Sequence, residues 1–418
     1  MEQMSLKQKI YPWVIVVAMS FMAAATMELA QKGIGQFYPL ISTEIGSPVS
    51  FITLGTTGSL IAVSICAPIA GQLYTRIDSR IVLSIYGLVC FGGFALMSVW
   101  AEAWQYWISI TLVGAGMSGV GIIGAPIFIS NWFKKRTGFA IGCYGTGVGV
   151  LSIILMPVIA LFIDSLGFRQ AALVMALVDA ILFFPFAWFV VRFKPEQMGL
   201  KPYGYVEGEA EEEKKKIVTG PGVPYVKAFK SAAFWMFLIA ACLMTNHNGW
   251  MRNWPTIVQF GWGYTVIFSG FVMSAQTFGQ LLSPVFGWIA DRIGAVKGVT
   301  ITLSLIIAGF LILLFFNGFE FMVLFGVFLF GFQSVNMKIL IPLVVRELFG
   351  QKEHAKIYST IYGIGNASAA FSTSLVAFIG EATGSYDITM VVGAIFTGVI
   401  LVLVWGSFIA SKKLVWED

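Results

Sequence analysis

Long apolar runs, parted by short polar stretches, follow one another along the whole 418-residue chain. A helix that crosses a bilayer needs about 20 consecutive apolar residues. On that measure the pattern predicts twelve spans, at 11–38, 48–74, 81–100, 105–131, 138–163, 171–191, 233–257, 265–289, 298–317, 321–348, 356–379 and 388–410. The longest polar stretch, 193–230, contains Glu211-Glu212-Glu213-Lys214-Lys215-Lys216 among several Gly and Pro. Such a composition reads as a solvated linker. The expectation is an all-α membrane protein with twelve transmembrane helices in two pseudo-symmetric six-helix bundles. The first bundle covers 1–192, the linker 193–230 and the second bundle 231–418.

Composition supports this reading. Hydrophobic residues make up 58% of the chain and charged residues only 11%, against roughly 25% charged in a soluble domain. The net charge of +5 is no nucleic-acid signal, because the cations sit between apolar runs rather than in a basic domain. The four cysteines, Cys66, Cys90, Cys143 and Cys242, fall inside the runs without metal spacing. The first run is too long for a cleavable leader, and Lys7 and Lys9 read as the inner flank of a retained span. With the N-terminus inside, 22 of the 26 Lys and Arg fall on cytoplasmic segments, and only Arg169 falls outside. Lys32, Arg252 and Lys338 remain at membrane depth. This asymmetry predicts both termini in the cytoplasm of a multi-pass plasma-membrane protein.

The halves share a register. A constant offset of 216 residues carries Gly71 to Gly287, Pro39 to Pro255, Pro126 to Pro342, Phe133 to Phe349, Gly147 to Gly363 and Gly149 to Gly365. Glycines and prolines at one offset, in corresponding spans, point to duplication. Six spans per copy make the repeats parallel, which predicts a substrate site near the midplane where the halves meet.

Gly287-Trp-Ile-Ala-Asp-Arg-Ile-Gly294 closes the eighth span, and Gly71-Gln-Leu-Tyr-Thr-Arg76 closes the second. On these residues the chain resembles the major facilitator superfamily over essentially its whole length. The family's Gly-x-x-x-Asp-Arg-x-Gly motif implies a cytoplasmic gate at Gly71, Arg76, Gly287, Asp291 and Arg292. The first copy departs: Thr75 replaces the acid and Asp78 the second glycine, which puts its latch in doubt. Asn131 to Arg136 with Gly138 to Gly142, Gly167-Phe168-Arg169-Gln170-Ala171, and Pro195-Glu196 with Gly199, Leu200 and Pro202 resemble the monocarboxylate and oxalate–formate branch. Lys32 falls where that branch has a substrate-associated lysine. The span-eight arginine and span-eleven lysine expected there are missing, since 265–289 holds no charge and 356–379 holds only Lys356, at its inner end. The resemblance implies a cavity lined by spans one, four, seven and ten, with spans three, six, nine and twelve as scaffold.

A charge at mid-bilayer costs roughly 2.5–3.5 kcal/mol on insertion scales and normally marks a pathway. Glu28, Lys32 and Gln36 are spaced i, i+4, i+8, which puts them on one stripe of span one. They are either a cavity wall that opens for substrate or proton, or a self-neutralised pair. Lys338, beside Asn336 and Gln333, is either an anion contact or half of a structural ion pair, with Glu28 as mate. In span seven, Asn248 takes the place of Lys32 by the offset, and Gly249 and Pro255 predict a bend. Arg252 is an outer anion attractor or a snorkelling residue. His247 is a proton carrier or a hydrogen-bonding wall residue. Asp179, on scaffold span six, is a structural hydrogen-bonded acid or a coupling site. Tyr144, Tyr358 and Tyr362 offer aromatic surface to a substrate. Trp250 and Trp254 do so too, or else form an interfacial belt. The glycine runs 114–121 and 142–149 lie inside spans and read as close helix packing rather than phosphate loops.

The function these features predict is secondary active transport, by alternating access, of a small organic anion. A carboxylate is favoured, moved by proton symport or anion exchange. Glu28, His247 and Asp179 are the proton candidates. The alternative is a zwitterionic or neutral amphipathic solute such as a betaine, amino acid or aromatic compound. A membrane sensor on the same fold is a further alternative. No nucleophile–base cluster, metal set or nucleotide loop marks an enzyme or a cofactor. The expected partners are the solute, the bilayer and a coupling proton, with the protein as a monomer.

Overall fold

The computed structural model describes residues 6–121, 124–204 and 221–417. Ten helical stretches among them are long and apolar enough to cross a bilayer. They are Gln8–Gln36, Val49–Arg76, Ser79–Leu96, Thr137–Leu166, Phe168–Val190, Val266–Ile293, Ala295–Phe315, Glu320–Phe349, His354–Thr383 and Asp387–Ser411. The two remaining spans are helices in pieces. Span four runs as Ala103–Met117 and Gly124–Trp132, and span seven as Ala232–Asn246, Asn248–Thr256 and Ile257–Gly261. Twelve transmembrane helices in two halves result, at the places the hydropathy predicts. The Glu211 to Lys216 part of the linker lies outside the described residues, as does the Lys7 side chain.

Contacts gather the helices into two compact units, Met1–Glu213 with Val266–Gly270, and Lys214–Thr265 with Phe271–Asp418. The outer faces are greasy at helical spacing. Ile61, Ile65 and Ile69 on span two, and Ile81, Ile85 and Leu88 on span three, all stand exposed. Bilayer lipid is the solvent that makes such faces stable.

In the first unit, small residues let helices close up, as the run 114–121 predicts. A Cβ on Gly114 would lie 2.3 Å from the Ser59 hydroxyl, and one on Gly116 would lie 2.4 Å from the Cys90 backbone nitrogen. The run 142–149 behaves differently. Gly142 and Gly145 face open space, and Gly147 alone of that part meets a neighbour, Ser20 of span one. Close packing therefore explains the first run and Gly147 of the second.

In the second unit, Trp250 and Trp254 are buried in an aromatic core with His247, Phe310 and Phe330. The Trp250 indole nitrogen donates to the Thr389 carbonyl at 3.0 Å. They are core residues rather than an interfacial belt. The predicted bend in span seven takes the form of a break at His247 and a π-helical turn, Ile257–Gly261, after Pro255.

The linker ends are pinned at matching places. Tyr203 donates its backbone N–H to the Trp132 carbonyl at 2.8 Å and accepts from Lys134 at 2.9 Å. Val223 donates to the Phe349 carbonyl at 2.7 Å, and Gln351 donates to the Pro221 carbonyl at 3.0 Å. Phe133 and Phe349, at the centres of these two contacts, are related by the repeat offset.

Candidate functional site

Glu28 and Lys32 of the span-one stripe lie on a π-helical stretch, Ala24–Gly33, and Gln36 ends the 3-10 turn that follows it. Wider π turns are rare and concentrate at functional sites. Lys32 Nζ lies 2.7 Å from Glu28 Oε2, with both side chains 3% exposed. Ser152 of span five donates its hydroxyl to the same Glu28 oxygen at 3.0 Å. Two further contacts tie these spans together. Ser20 Oγ donates to the Tyr144 carbonyl at 3.2 Å, and Gln36 Nε2 to the Met156 carbonyl at 3.2 Å. The structure therefore joins Glu28, Lys32 and Gln36 to span five, and it buries the ring-bearing residue Tyr144 there. Lys32, on its own helix, is thus an ion-pair partner of Glu28.

Asp179 is fully buried on span six, and neither carboxyl oxygen has a hydrogen-bond partner among the described residues. The hydrogen-bonded scaffold acid expected here is thus a buried acid without such a bond. An unpaired polar group in that setting is expensive.

In the second unit, both His247 ring nitrogens are engaged. Nε2 pairs with Thr397 Oγ1 at 2.9 Å and Nδ1 with the Met244 carbonyl at 3.2 Å. That is the arrangement of a hydrogen-bonding wall residue. Arg252 is buried at 7% exposure, inside the protein rather than snorkelling to a lipid face. Asn248 is half-buried.

Span ten also carries a π-helical stretch at mid-length, Asn336–Leu340. It turns neighbouring residues to opposite sides. Asn336 is buried and accepts from the Thr302 hydroxyl of span nine at 2.6 Å. Lys338, two residues on, is exposed. On span eleven, His354, Tyr358 and Tyr362 repeat at every fourth residue. Their rings lie 6.0 and 5.5 Å apart, and Tyr362 is half-buried.

The gate motif is asymmetric. A Cβ on Gly71 would meet open space, and Arg76 is exposed. Arg292 lies over the Trp288 ring at 3.9 Å, while Asp291 is exposed. A reading of motifs alone missed Glu347, whose Oε2 accepts from the backbone of Ala295 at 2.5 Å and Val296 at 3.1 Å. That carboxylate caps span nine from the end of span ten. It also missed Ser152 and Gln276. Gln276, on span eight, is buried with both amide atoms lacking a hydrogen-bond partner among the described residues. A search for charges passes over a neutral amide.

Two six-helix halves joined by a linker, with ionisable groups at mid-span, have the build of a secondary transporter. The chain belongs to the Major Facilitator Superfamily, whose sequence pattern matches residues 15–337 and 254–417. It is a membrane-spanning secondary transporter of small molecules. It is 24% identical to the MFS-type transporter hasB of Aspergillus fumigatus, over 72% of this chain and 67% of that protein. It is 25% identical to the sialic acid transporter NanX of Escherichia coli, over 70% of this chain and 69% of that one. Over a shorter stretch, 26% of this chain and 23% of the other, it is 29% identical to human monocarboxylate transporter 11. The crystal structure of the nucleoside transporter NupG has the same fold. The TM-score is 0.70 at 13% identity, with 97% of this chain and 100% of that one covered.

Proposed function

We propose that the protein carries a small organic anion, a carboxylate, by alternating access. The observation that carries this reading is Lys338. It is exposed at the middle of a span, next to a buried Asn336. A lysine on a lipid face at that depth would cost roughly 2.5–3.5 kcal/mol, so the space it faces is aqueous. An ammonium group in such a space attracts an anion. Two relatives fit: one is named for sialic acid and another for monocarboxylates.

The Glu28–Lys32 pair supplies the second element of the mechanism. A substrate carboxylate that takes Lys32 competes with Glu28 for it. Glu28, once displaced from Lys32, keeps the Ser152 hydroxyl and becomes the natural proton acceptor. Anion binding and proton uptake are then linked through one lysine, which is the logic of symport. His247 is a wall residue bonded to Thr397 and Met244 in this scheme, and Asp179 is a buried reserve site. Arg252, Asn248, Gln36, Tyr144 and Tyr362 complete the polar and aromatic surroundings. The bundles 1–192 and 231–418 are the moving bodies, the segment 193–230 joins them, and the termini lie in the cytoplasm of a plasma-membrane monomer.

The test is counterflow of radiolabelled carboxylates into vesicles holding the purified protein, with and without a pH gradient. Saturable uptake that is stimulated by inward protons and lost in Lys338→Ala supports the reading. Unchanged carboxylate uptake in Lys338→Ala overturns the assignment of that lysine.

A second reading rests on Gln276. Span eight lacks the arginine implied by the branch resemblance and carries a buried neutral amide with open hydrogen-bonding capacity. Such a group suits a zwitterionic or neutral solute, whose cation Glu28 would meet. A thermal-shift screen across anions, zwitterions and neutral solutes separates the two, because only the favoured class stabilises the protein.

A further inference from the structure

Span two ends at Arg76, and the chain turns through Ile77 and Asp78 into span three. Span six ends nearby and continues through Arg192, Phe193 and Lys194. A cleft opens between these two exits. Arg76, Asp78, Lys194 and Gln197 line it, over Tyr74 and Phe193, whose rings stack at 5.9 Å.

Among the described residues, the charge around this cleft is out of balance. Arg76 and Lys194 are exposed in its wall. Arg80 and Arg192 stand together beside it. Burial and then the Arg80 charge push the Arg192 guanidinium below its ordinary value, with Tyr11 and Asp78 working in the other direction. Asp78 is the only carboxylate among the described residues of the lining, and one of its oxygens is committed as a helix cap, accepting from the Arg80 backbone N–H at 2.9 Å. Glu196 is exposed on the short helix Pro195–Met198. Arg192 uses Nη1 on the carbonyls of Trp188 and Val191, at 3.2 and 2.7 Å. The Arg80 Nε is buried and has no hydrogen-bond partner among the described residues.

The surface beside these arginines is apolar. Ile77, Ile81, Trp188 and Phe189 are all exposed, from 45% at Ile77 to 81% at Phe189. Cations at the end of a span, with open guanidinium donors and a greasy border, match one chemistry: a phosphate carried on an acyl chain. Guanidinium forks suit phosphate oxygens, and the bilayer supplies anionic headgroups at this depth.

We propose that this cleft, with Arg80 and Arg192, binds the headgroup phosphate of an anionic phospholipid. The acyl chains of that lipid lie along Ile81 and Phe189. The bound lipid ties the span two–three turn to the exit of span six, two segments that no ion pair joins among the described residues. This site is separate from the substrate residues and independent of which solute is carried.

The experiment uses full-length protein purified in detergent. Phosphatidylglycerol and phosphatidylcholine with identical acyl chains are titrated, and bound lipid is counted by native mass spectrometry. Inorganic phosphate and glycerol phosphate form the soluble arm. Each basic residue near a membrane surface contributes roughly fivefold in affinity. Arg80→Gln/Arg192→Gln is therefore expected to weaken phosphatidylglycerol about 25-fold and leave phosphatidylcholine unchanged. Lys412→Gln/Lys413→Gln, which removes two cations elsewhere, keeps the wild-type affinity. Equal binding of the two lipids by wild-type protein overturns the proposal, and that comparison stands even where the arginine variant does not fold. Equal losses in the two double variants also overturn it, because the attraction is then general. Thermal stabilisation by soluble phosphate equal to that by the lipid reassigns the cleft to a free anion.

Discussion

Lys32→Met is the most telling single change in the first half. It keeps the length of the side chain and removes only the ammonium group. In the native structure that group sits 2.7 Å from Glu28 Oε2, and both side chains are 3% exposed. Solvent therefore neither screens the pair nor replaces a lost partner. Breaking a buried pair from one side costs about 3–5 kcal/mol, because a buried charge is left behind. The Ser152 hydroxyl at 3.0 Å remains as a donor to Glu28 and offsets part of that, on the order of 1 kcal/mol. A net loss of about 3 kcal/mol is expected, which lowers the unfolding midpoint by roughly 10 °C at the scaling of a 200-residue domain. Glu28→Gln/Lys32→Met removes both charges and is expected to recover most of the loss, since replacing a whole buried pair by neutral groups is often near-neutral. The assay is thermal unfolding of the four proteins of this double-mutant cycle in one detergent at one pH. The double variant should be folded, and inactive in uptake. Additive losses would refute the reasoning: if the double variant is as unstable as the two single changes combined, the pair is not an energetic unit.

Three further outcomes follow from specific contacts. Glu347→Ala removes the carboxylate that accepts from Ala295 and Val296. A thermal-shift loss of about 1 kcal/mol is expected, as for other helix N-caps. Gly249→Ala places a Cβ 2.4 Å from the Ser372 carbonyl oxygen and 2.9 Å from Val376. It forces spans seven and eleven apart, costs about 1–3 kcal/mol, and is checked by thermal shift together with uptake. Lys227 and Lys352 hold the Glu417 carboxyl below its ordinary value through bonds of 2.5 and 3.2 Å. A depressed carboxylate contributes in full above its unfolded-state pKa and loses that contribution as pH falls through the lowered folded-state value. The acid limb of a stability–pH profile should therefore flatten in Glu417→Gln.

The spans were legible because each bilayer crossing needs its own apolar run, and nothing else in a chain of this size demands twelve of them. The Glu28–Lys32 pair was legible for a local reason: the i, i+4 spacing alone puts the two groups on one stripe. Partners distant in sequence were not. Ser152 lies 124 residues from Glu28, and no local pattern announces that its hydroxyl turns inward. Asn336 and Lys338 read as one polar cluster, yet the π turn sends the first toward Thr302 and leaves the second exposed. Trp250 and Trp254 show a limit of composition. Indole suits both an interface and a core, and packing around His247 and Phe310 decides for the core. Gln276 was hidden by the choice of charge as the signal.

The broken first copy of the gate motif gains a physical meaning from the second. In the second half, Gly294 adopts φ of 97°, a backbone state suited to glycine, and leaves the start of span nine without a cap of its own. Glu347 reaches over from span ten to supply one. The repeat offset maps Gly294 onto Asp78 and Glu347 onto Asn131. In the first half Asp78 caps span three itself, at 2.9 Å from the Arg80 N–H. Asn131 is thereby released, and its amide donates instead to the Phe193 carbonyl at 3.1 Å. A carboxylate stands at the start of the third helix in both copies, where the exposed N–H groups and the helix dipole favour negative charge. What differs is which residue supplies it. In the second half the cap ties two spans together across 52 residues, whereas in the first it is local and the span-four residue binds the exit of span six. The loss of the glycine in the first copy is therefore better understood as a transfer of one capping charge than as decay of the motif.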